Sequence, residues 1–254
     1  MERYKTIRKY IHKSFYSEII KAVDIMNGNI VMIKRFAKYF GNNEINILKQ
    51  IKHPNIVTFY KSFEDDKYYY LVQEYINGYT LEDYINNEEH HLTNIEIKNI
   101  LIELIRAIRY LNNKNIYHLD IRPCNIMFDF QKKIKLIDFG CSQIKKDNEP
   151  INMKEYFGIM NHLPPEFIMN NQEIYNVDVW GIGIILYFII FNAYPFLFRK
   201  DILHNDIDYK LYGEPEEKEK EVKIFIELLK KILIKNHKER ATLIEIENYL
   251  EENI

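Results

Sequence analysis

Alternating apolar and polar positions dominate the first third of the chain. A period-two pattern with β-branched and aromatic residues, typical of strands, occupies segments 3–11, 18–26, 29–36, 57–63 and 68–74. Asn27-Gly28 separates the second and third segments, and this dipeptide favours a two-residue hairpin turn. Asp65-Asp66 separates the last two. The pattern therefore predicts a strand-rich first part with hairpins at both dipeptides.

The apolar period lengthens to that of a helix after residue 93. Thr93-Asn94-Ile95-Glu96 forms a capping box, and apolar residues then recur at helical spacing up to about Asn113. Residues 179–191 are almost continuously apolar. This run is shorter than the ~20 residues that cross a bilayer, so we expect a buried helix there. Further amphipathic helices are predicted at 224–234 and 243–250.

Length and charge narrow the class of protein. A chain of 254 residues is long enough for two lobes, each with a sizeable core. The net charge is −2 without a basic block, so we expect neither a nucleic acid nor a membrane surface as partner. The N-terminus lacks the apolar core of a signal peptide.

The cysteines indicate the compartment. Cys124 and Cys141 are the two cysteines of the sequence, and their spacing fits neither a disulfide framework nor a zinc site. A reducing intracellular location, cytoplasmic or nuclear, is expected.

Two short motifs carry the candidate chemistry. Residues 118–125 read His-x-Asp-x-x-Pro-x-Asn, and residues 138–140 read Asp-Phe-Gly after the strand-like run 134–137. Phosphoryl transfer uses one carboxylate to orient a hydroxyl, and an amide oxygen with a second carboxylate to hold magnesium. The two motifs, in this order, resemble the catalytic loop and the metal-binding loop of eukaryotic protein kinases.

The resemblance implies a fold and its limits. It extends over nearly the entire chain and implies an α+β, bilobal protein-kinase fold. A single kinase domain would span 4–250, with a small β-sheet lobe at about 4–74 that carries one short helix. A hinge at about 74–79 would lead to a larger, mainly helical lobe at about 80–250.

The resemblance also assigns roles in catalysis. It implies that Asp120 orients the substrate hydroxyl, that Arg122 supplies positive charge near the transferred phosphoryl group, and that Asn125 belongs to the same catalytic loop. Asn125 and Asp138 would hold the metal. The implied cofactors are ATP and Mg²⁺, and the implied partner is a protein substrate. The oligomeric state stays open.

Further residues are implied to form the nucleotide pocket. Val31-Met32-Ile33-Lys34 resembles the strand whose lysine contacts the phosphates, and Glu44, ten residues later, is the matching partner on a short helix. That interval is shorter than usual in the family, so the helix should lack about two turns at its N-terminal end. The implied ATP-binding residues are Ile11, Ile19, Met32, Lys34, Glu44, Gln73, Glu74, Ile76, Met127 and Asp138.

Several positions depart from the family pattern. The segment 11–19 contains none of the three glycines of the phosphate-covering loop, and glycine there lets backbone amides approach the phosphates. Met32 replaces an alanine, and Arg122 replaces a lysine. Two hypotheses therefore stand: a working kinase, and a kinase-like scaffold or allosteric binding protein with a degraded pocket. The retained lysine, glutamate, two aspartates and asparagine favour the enzyme.

Two more residues bear on specificity and regulation. Pro123 resembles the serine/threonine form of the catalytic loop. Leu119 stands where many kinases carry an arginine that binds a phosphate on the activation segment, and leucine cannot bind phosphate. Tyr156 is the one hydroxyl-bearing residue in 143–163. Activity is thus expected to be independent of phosphorylation of this segment.

Additional resemblances concern the helical part. Asp178, in the kinase-like Asp-x-Trp-x-x-Gly, is expected to brace the catalytic loop through its backbone N–H groups. Glu166 and Arg240 match a family ion pair that ties the end of the activation segment to the C-terminal helices. Residues 139–142 and 163–166 are faintly similar to Aurora-like mitotic kinases.

Overall fold

The computed structural model describes residues 2–13, 17–87, 89–129, 131–145, 162–169, 177–212 and 216–254. Tyr156, named above for its hydroxyl, lies outside these ranges. The described residues form a β-sheet lobe followed by a larger helical lobe, which confirms the expected α+β, bilobal architecture. The proposed limits of the domain and of its hinge stay a prediction.

The first lobe is built on a five-stranded antiparallel sheet. Its strands are β1 (Tyr4–Lys13), β2 (Ser17–Asp24), β3 (Ile30–Ala37), β4 (Phe59–Glu64) and β5 (Tyr68–Glu74), in the spatial order β1-β2-β3-β5-β4. One short helix, α1 (Asn43–Leu48), follows β3. Its six residues agree with the prediction of a shortened helix.

The turn between β2 and β3 differs from the prediction. A two-residue hairpin at Asn27-Gly28 was expected, but β2 ends at Asp24 and the N–H of Asp24 donates to the carbonyl of Asn29, at 2.9 Å. The Asp24 carboxylate causes this longer turn, because its Oδ1 accepts from the N–H of Met26 at 3.1 Å and so folds the chain early. Gly28 then takes a φ of +76°, a conformation that favours glycine. The second hairpin, around Asp65, forms as predicted.

The helical lobe contains seven further helices among the described residues. They are α2 (Leu81–Ile85), α3 (Asn94–Asn112), α4 (Pro165–Ile168), α5 (Val177–Phe191), α6 (Arg199–His204), α7 (Glu216–Ile232) and α8 (Leu243–Asn253). Short strands β6 (Ile116–Tyr117), β7 (Ile126–Phe128), β8 (Ile134–Leu136) and β9 (Gln143–Ile144) pair as β6 with β9 and β7 with β8.

A threonine side chain caps the start of three of these helices, α2, α3 and α8. The capping box predicted at Thr93 is present at the start of α3. An equivalent box between Thr242 and Glu245, which was not predicted, starts α8. Both boxes satisfy backbone N–H groups that would otherwise lack partners.

Helix α5 lies at the centre of the helical lobe and contacts the segment before β7. It is buried on nearly all sides, with Trp180 completely shielded, which explains its continuous apolar sequence. A Cβ built on Gly181 would lie 2.6 Å from Cβ of Ile121 in the segment before β7. Glycine at this position therefore allows α5 to approach that segment closely. Among the described residues, no helix combines the length and apolar character needed to cross a membrane.

Candidate active site

Asp120 and Asn125 face each other in the loop between β6 and β7. Oδ2 of Asp120 accepts from Nδ2 of Asn125 at 2.8 Å, and Nε of Arg122 lies 3.3 Å from each carboxylate oxygen. Oδ1 of Asp120 is shielded from solvent and accepts no hydrogen bond from the described residues. A buried carboxylate oxygen without a hydrogen-bond donor costs free energy. This oxygen is therefore available to accept a hydrogen bond from a substrate.

Asp178 accepts two backbone hydrogen bonds from this loop. Its Oδ2 accepts from the N–H of His118, and its Oδ1 accepts from the N–H of Leu119, both at 2.9 Å. Leu119 has a φ of +65°, an unfavourable conformation for leucine. Burial raises the pKa of Asp178, against the lowering effect of His118 and of the two N–H donors. The predicted bracing contact is therefore present, and it stabilises a strained turn beside Asp120.

The Asp138-Phe139-Gly140 motif lies next to Lys34 of β3. Nζ of Lys34 donates to Oδ1 of Asp138 at 2.8 Å and to Oε1 of Glu44 at 3.0 Å. Asp138 itself has a φ of +61°, and the N–H of Gly140 donates to the same Oδ1 at 3.1 Å. The structure thus joins β3, α1 and the segment after β8 through one ammonium group.

These contacts determine the charges in the site. Burial alone would raise the pKa of Asp138, but the Lys34 ammonium and the Gly140 N–H outweigh it and lower that pKa to about 2. Burial would lower the pKa of Lys34, and the two carboxylates raise it instead. Burial raises the pKa of Glu44, although Lys34 opposes the effect. At neutral pH Asp138 is a carboxylate and Lys34 an ammonium.

The donor atoms around Asn125 and Asp138 fit a magnesium ion. Nδ2 of Asn125 is committed to Asp120, so its Oδ1 is left with a weak donor, the Cys124 thiol at 3.7 Å. Among the described residues, no hydrogen bond reaches Oδ2 of Asp138. Magnesium prefers such oxygen ligands and commonly completes its shell with phosphate and water oxygens. The described residues hold no group of three or more His, Cys, Asp or Glu side chains that could bind a metal.

Several side chains share one face of the sheet above this site. Ile19 and Leu71 lie opposite Lys34, while Gln73 lies opposite Met32, and directly opposed residues project to the same face. Because Lys34 contacts Asp138, this face is turned toward the helical lobe. We call the set Ile19, Met32, Lys34 and Gln73 the cleft face.

The remaining predicted pocket residues are Glu74, Ile76, Met127 and Ile11. Glu74 ends β5, and Ile76 follows it with its side chain buried. Met127 lies in β7 and forms an isolated bridge with Thr80, at the start of α2. Ile11 lies in β1. Glu74, Ile76 and Met127 lie where the two lobes are joined, and their role in binding a nucleotide stays a prediction.

Lys135 is a site residue that sequence reasoning missed. Its Nζ donates to Oε2 of Glu74 at 3.0 Å, and the same oxygen accepts from Oγ1 of Thr58 at 2.8 Å. This contact ties the end of β5 to β8, and thus one lobe to the other. A lysine in a short alternating strand carries no signal for such a role, because its partner lies far away in the sequence.

The end of the activation segment is anchored by charge and by packing. Arg240 donates to both oxygens of Glu166, at 2.6 and 2.9 Å, and both side chains are buried. Leu119, Leu163 and Phe167 form an apolar cluster with Val177. The expected ion pair is therefore present, and Leu119 belongs to the packed base of the segment.

Comparison with known proteins agrees with this geometry. The family model for the protein kinase domain matches residues 9–251. Myosin light chain kinase 3 of Rattus norvegicus is 34% identical over 161 residues, which are 63% of this chain and 20% of that protein. Its Homo sapiens counterpart is 35% identical over the same length, 19% of that protein. Myosin light chain kinase family member 4 of Homo sapiens is 31% identical over 207 residues, 80% of this chain and 53% of that protein.

The chain thus spans between about a fifth and a half of the relatives that it matches. These relatives give no support to the faint Aurora-like similarity of residues 139–142 and 163–166, and segments of four residues are too short to assign a subfamily. The family match extends over nearly the entire chain and includes both the catalytic and the metal-binding motifs. The chain belongs to the protein kinase family.

Proposed function

We propose that the chain is an ATP- and magnesium-dependent protein kinase that transfers the γ-phosphoryl group of ATP to serine or threonine hydroxyls of proteins. The observation that carries this proposal is the position of Lys34, whose ammonium group contacts both Glu44 and Asp138. Nucleotide phosphates and magnesium need this arrangement of one cation and two carboxylates.

Each remaining group has a role in this reaction. Oδ1 of Asp120, buried and without a hydrogen bond from the described residues, accepts the proton of the substrate hydroxyl and orients its oxygen toward the phosphorus. Arg122, beside it, places positive charge near the transferred group. Asn125 and Asp138 would hold magnesium, which would neutralise charge on the phosphates.

The competing hypothesis is a scaffold or allosteric binding protein with a degraded pocket. The missing loop glycines and Met32 favour weaker nucleotide binding, because side chains replace backbone close to the ligand. The buried lysine, two carboxylates and catalytic aspartate are costly to keep without a function. The enzyme hypothesis accounts for these groups, and the scaffold hypothesis does not.

The class of substrate follows from the catalytic loop and the relatives. Pro123 supports a serine/threonine enzyme. The relatives are named as kinases of a myosin light chain, and we extend to this chain the chemical class, a protein hydroxyl, but not the particular substrate. Cys124 and Cys141 are free thiols, which supports an intracellular location.

We also propose that activity does not require a phosphate on the activation segment. Leu119 is buried against Leu163 and Phe167, in the position where a phosphate-binding arginine would be needed. The end of the segment is instead held by apolar packing and by Arg240 on Glu166. Phosphatase-treated protein and a Tyr156→Phe variant should match untreated protein in kcat, and a tenfold loss in either would contradict this.

Substitution of the two aspartates tests the chemistry. Asp120→Asn should lower phosphorylation of a mixed protein substrate by at least 100-fold, because the amide cannot accept the hydroxyl proton. It should leave binding of magnesium-ATP within about threefold, measured by calorimetry. Asp138→Asn should weaken that binding as well, and only when magnesium is present.

One control variant and two further outcomes make the test decisive. Lys230→Met, at an exposed position of α7, should change neither quantity. Wild-type protein that binds magnesium-ATP but transfers no phosphoryl group would favour the scaffold hypothesis. Undiminished transfer by Asp120→Asn would refute the assigned mechanism.

A further inference from the structure

The turn between β2 and β3 exposes large apolar side chains at the end of the sheet. Ile25 is 57% exposed and Met26 is 74% exposed. Ile30, which begins β3 after the turn, is 44% exposed. Apolar side chains that are exposed together, rather than singly, mark surfaces that bind a partner or a membrane. We call Ile25, Met26 and Ile30 the turn patch.

Basic residues of β1 and β2 lie beside the turn patch. The strand register aligns Lys5 with Val23 and Val23 with Ile30, so these three side chains form a row across one face of the sheet. Farther from the turn, Arg8 lies opposite Lys21 in the same pair of strands. Lys5 and Arg8 are both exposed. The row therefore continues the turn patch into a cationic surface.

The carboxylates of these strands lie on the opposite face of the sheet. Tyr4 and Asp24 are opposed in the register, and each is next along its strand to a member of the row. Glu18, an even number of residues before Asp24 in β2, projects to the same side as Asp24 and pairs there with Arg35. The described parts of β1, β2 and β3 thus place cations beside apolar side chains with no carboxylate on the same face.

The positive charge extends over the whole first part of the chain. Residues 1–74 contain 13 Lys and Arg against 8 Asp and Glu, whereas residues 75–254 contain 22 against 29. The net charges of the two parts are therefore +5 and −7. The overall charge of −2, from which we expected no membrane partner, conceals this separation.

This combination fits the surface of an anionic membrane. Aliphatic side chains at an exposed turn can enter the boundary between headgroups and acyl chains, while neighbouring cations attract the anionic headgroups. Nucleic acids are instead bound by cations together with aromatic or hydrogen-bonding side chains, and the side chains of the turn patch are aliphatic. The chemistry of the patch therefore favours a lipid surface.

We propose that the turn patch, together with Lys5 and Arg8, binds peripherally to membranes that contain anionic lipids. The side chains of the patch enter the headgroup region, and the two cations bind the charged groups of the lipids. This binding needs no nucleotide, so it is independent of the proposed phosphoryl transfer. It adds a second binding site to the chain, on the sheet lobe and outside the cleft.

Co-sedimentation of the protein with vesicles tests the proposal. The probes are vesicles of phosphatidylcholine with about 30% phosphatidylserine, and vesicles of phosphatidylcholine alone. The anionic vesicles should bind the protein at least about tenfold more strongly than the neutral ones. The difference should shrink as the salt concentration rises from about 0.05 to 0.5 M, because salt screens the attraction between exposed charges.

Variants of the patch and of the cations separate the two contributions. Ile25→Ser combined with Met26→Ser should weaken binding to the anionic vesicles at least about tenfold, since less apolar surface leaves water. Lys5→Gln combined with Arg8→Gln should weaken it about 30-fold, as two cations near an anionic surface predict. Met26→Asp replaces the first double variant if that one does not fold.

Matched controls remove similar residues elsewhere. Leu197→Ser combined with Phe198→Ser removes two apolar side chains of the helical lobe that are 72% and 62% exposed. Lys67→Gln removes an exposed lysine just before β5, at the other end of the sheet. Both controls should bind the anionic vesicles within about twofold of wild type, because surface charges beyond the Debye length contribute little.

The outcomes decide the proposal in either direction. Binding that both double variants lose and both controls retain would support it. It would be overturned by wild-type protein that binds neither vesicle or binds both equally, or by patch and control variants that lose the same affinity. Protein that binds no vesicle but forms a dimer that Ile25→Ser with Met26→Ser abolishes in analytical ultracentrifugation would assign the patch to a second copy, and would also overturn the proposal.

Discussion

Removing one partner of the Glu166–Arg240 ion pair is expected to destabilise the helical lobe strongly. Nη1 and Nη2 of Arg240 lie 2.6 and 2.9 Å from the two carboxylate oxygens, and the side chains are 0% and 1% exposed. Loss of one partner leaves the other charge buried and unpaired, which costs about 3–5 kcal/mol. Arg240 also donates from Nε to the carbonyl of Ile234 at 3.2 Å, which places Arg240→Met at the upper end of that range.

Thermal and urea denaturation of three variants measure this. For a chain of this size, 1 kcal/mol corresponds to about 2–4 °C in Tm, so Arg240→Met and Glu166→Met should each lower Tm by roughly 6–20 °C. The double variant should lose clearly less than the sum, because it leaves no unpaired charge. Its methionine at 240 can still pack on the Trp180 ring, which lies 5.0 Å from the Arg240 guanidinium carbon.

An exposed ion pair provides the matched control. Lys230 and Glu227 on α7 lie 2.8 Å apart but are 49% and 48% exposed. Lys230→Met should therefore change stability by less than about 0.5 kcal/mol. Single variants at 166 and 240 that lose no more than this control, or a double variant that loses the full sum, would refute the reasoning from burial.

Three further predictions concern titration, loop geometry and thiol chemistry. Burial, aided by Arg122, lowers the pKa of His162 to about 4. As pH falls, His162 therefore takes up a proton in the unfolded state before it does so in the folded state. The free energy of unfolding should fall by up to about 1.4 kcal/mol per pH unit as pH drops from 6.5 to 4. His162→Gln should flatten that slope in urea titrations at each pH, and an unaltered slope would contradict the assignment. Asp178→Ala should leave two buried N–H groups unpaired and lower the free energy of unfolding by about 2–4 kcal/mol. It should also lower kcat more than it raises KM. A kcat within twofold of wild type would show that the hydrogen bonds to Asp178 do not position the loop. Burial, with nearby carboxylates, raises the pKa of Cys141 to about 12. In a Cys124→Ser variant, where Cys141 is the remaining thiol, reaction with iodoacetamide at pH 8 should be at least about 100-fold slower than that of free cysteine. A rate within tenfold of free cysteine would disprove this.

Local pattern was sufficient to predict most elements. The helical period and the Thr93 capping box predicted α3 to within one residue of its end, since both depend on neighbours within one or two turns. The longer turn after Asp24 was missed, because a side chain that bonds to the backbone two residues on can override a dipeptide preference.

For the candidate site, the sequence likewise predicted the residues but not the distances between them. The sequence predicts Asp120, Asn125 and Asp138 as site residues, because they lie in two short motifs whose residue types match phosphoryl-transfer chemistry. Family resemblance then named Lys34 and Glu44 as their neighbours. The spacing of these residues along the chain did not determine the distances between their side chains.

Only the tertiary structure decided which groups meet, and with what charge. It places Nζ of Lys34 2.8 Å from a carboxylate oxygen 104 residues away, connects Lys135 to Glu74 across the lobes, and leaves Oε1 of Gln73 buried without a partner among the described residues. Hydrophobic and polar periodicity determine each element and its buried face, since these depend on residues close in sequence. Contacts between elements depend on how whole faces pack together, and burial with its shifts in pKa follows from that packing alone.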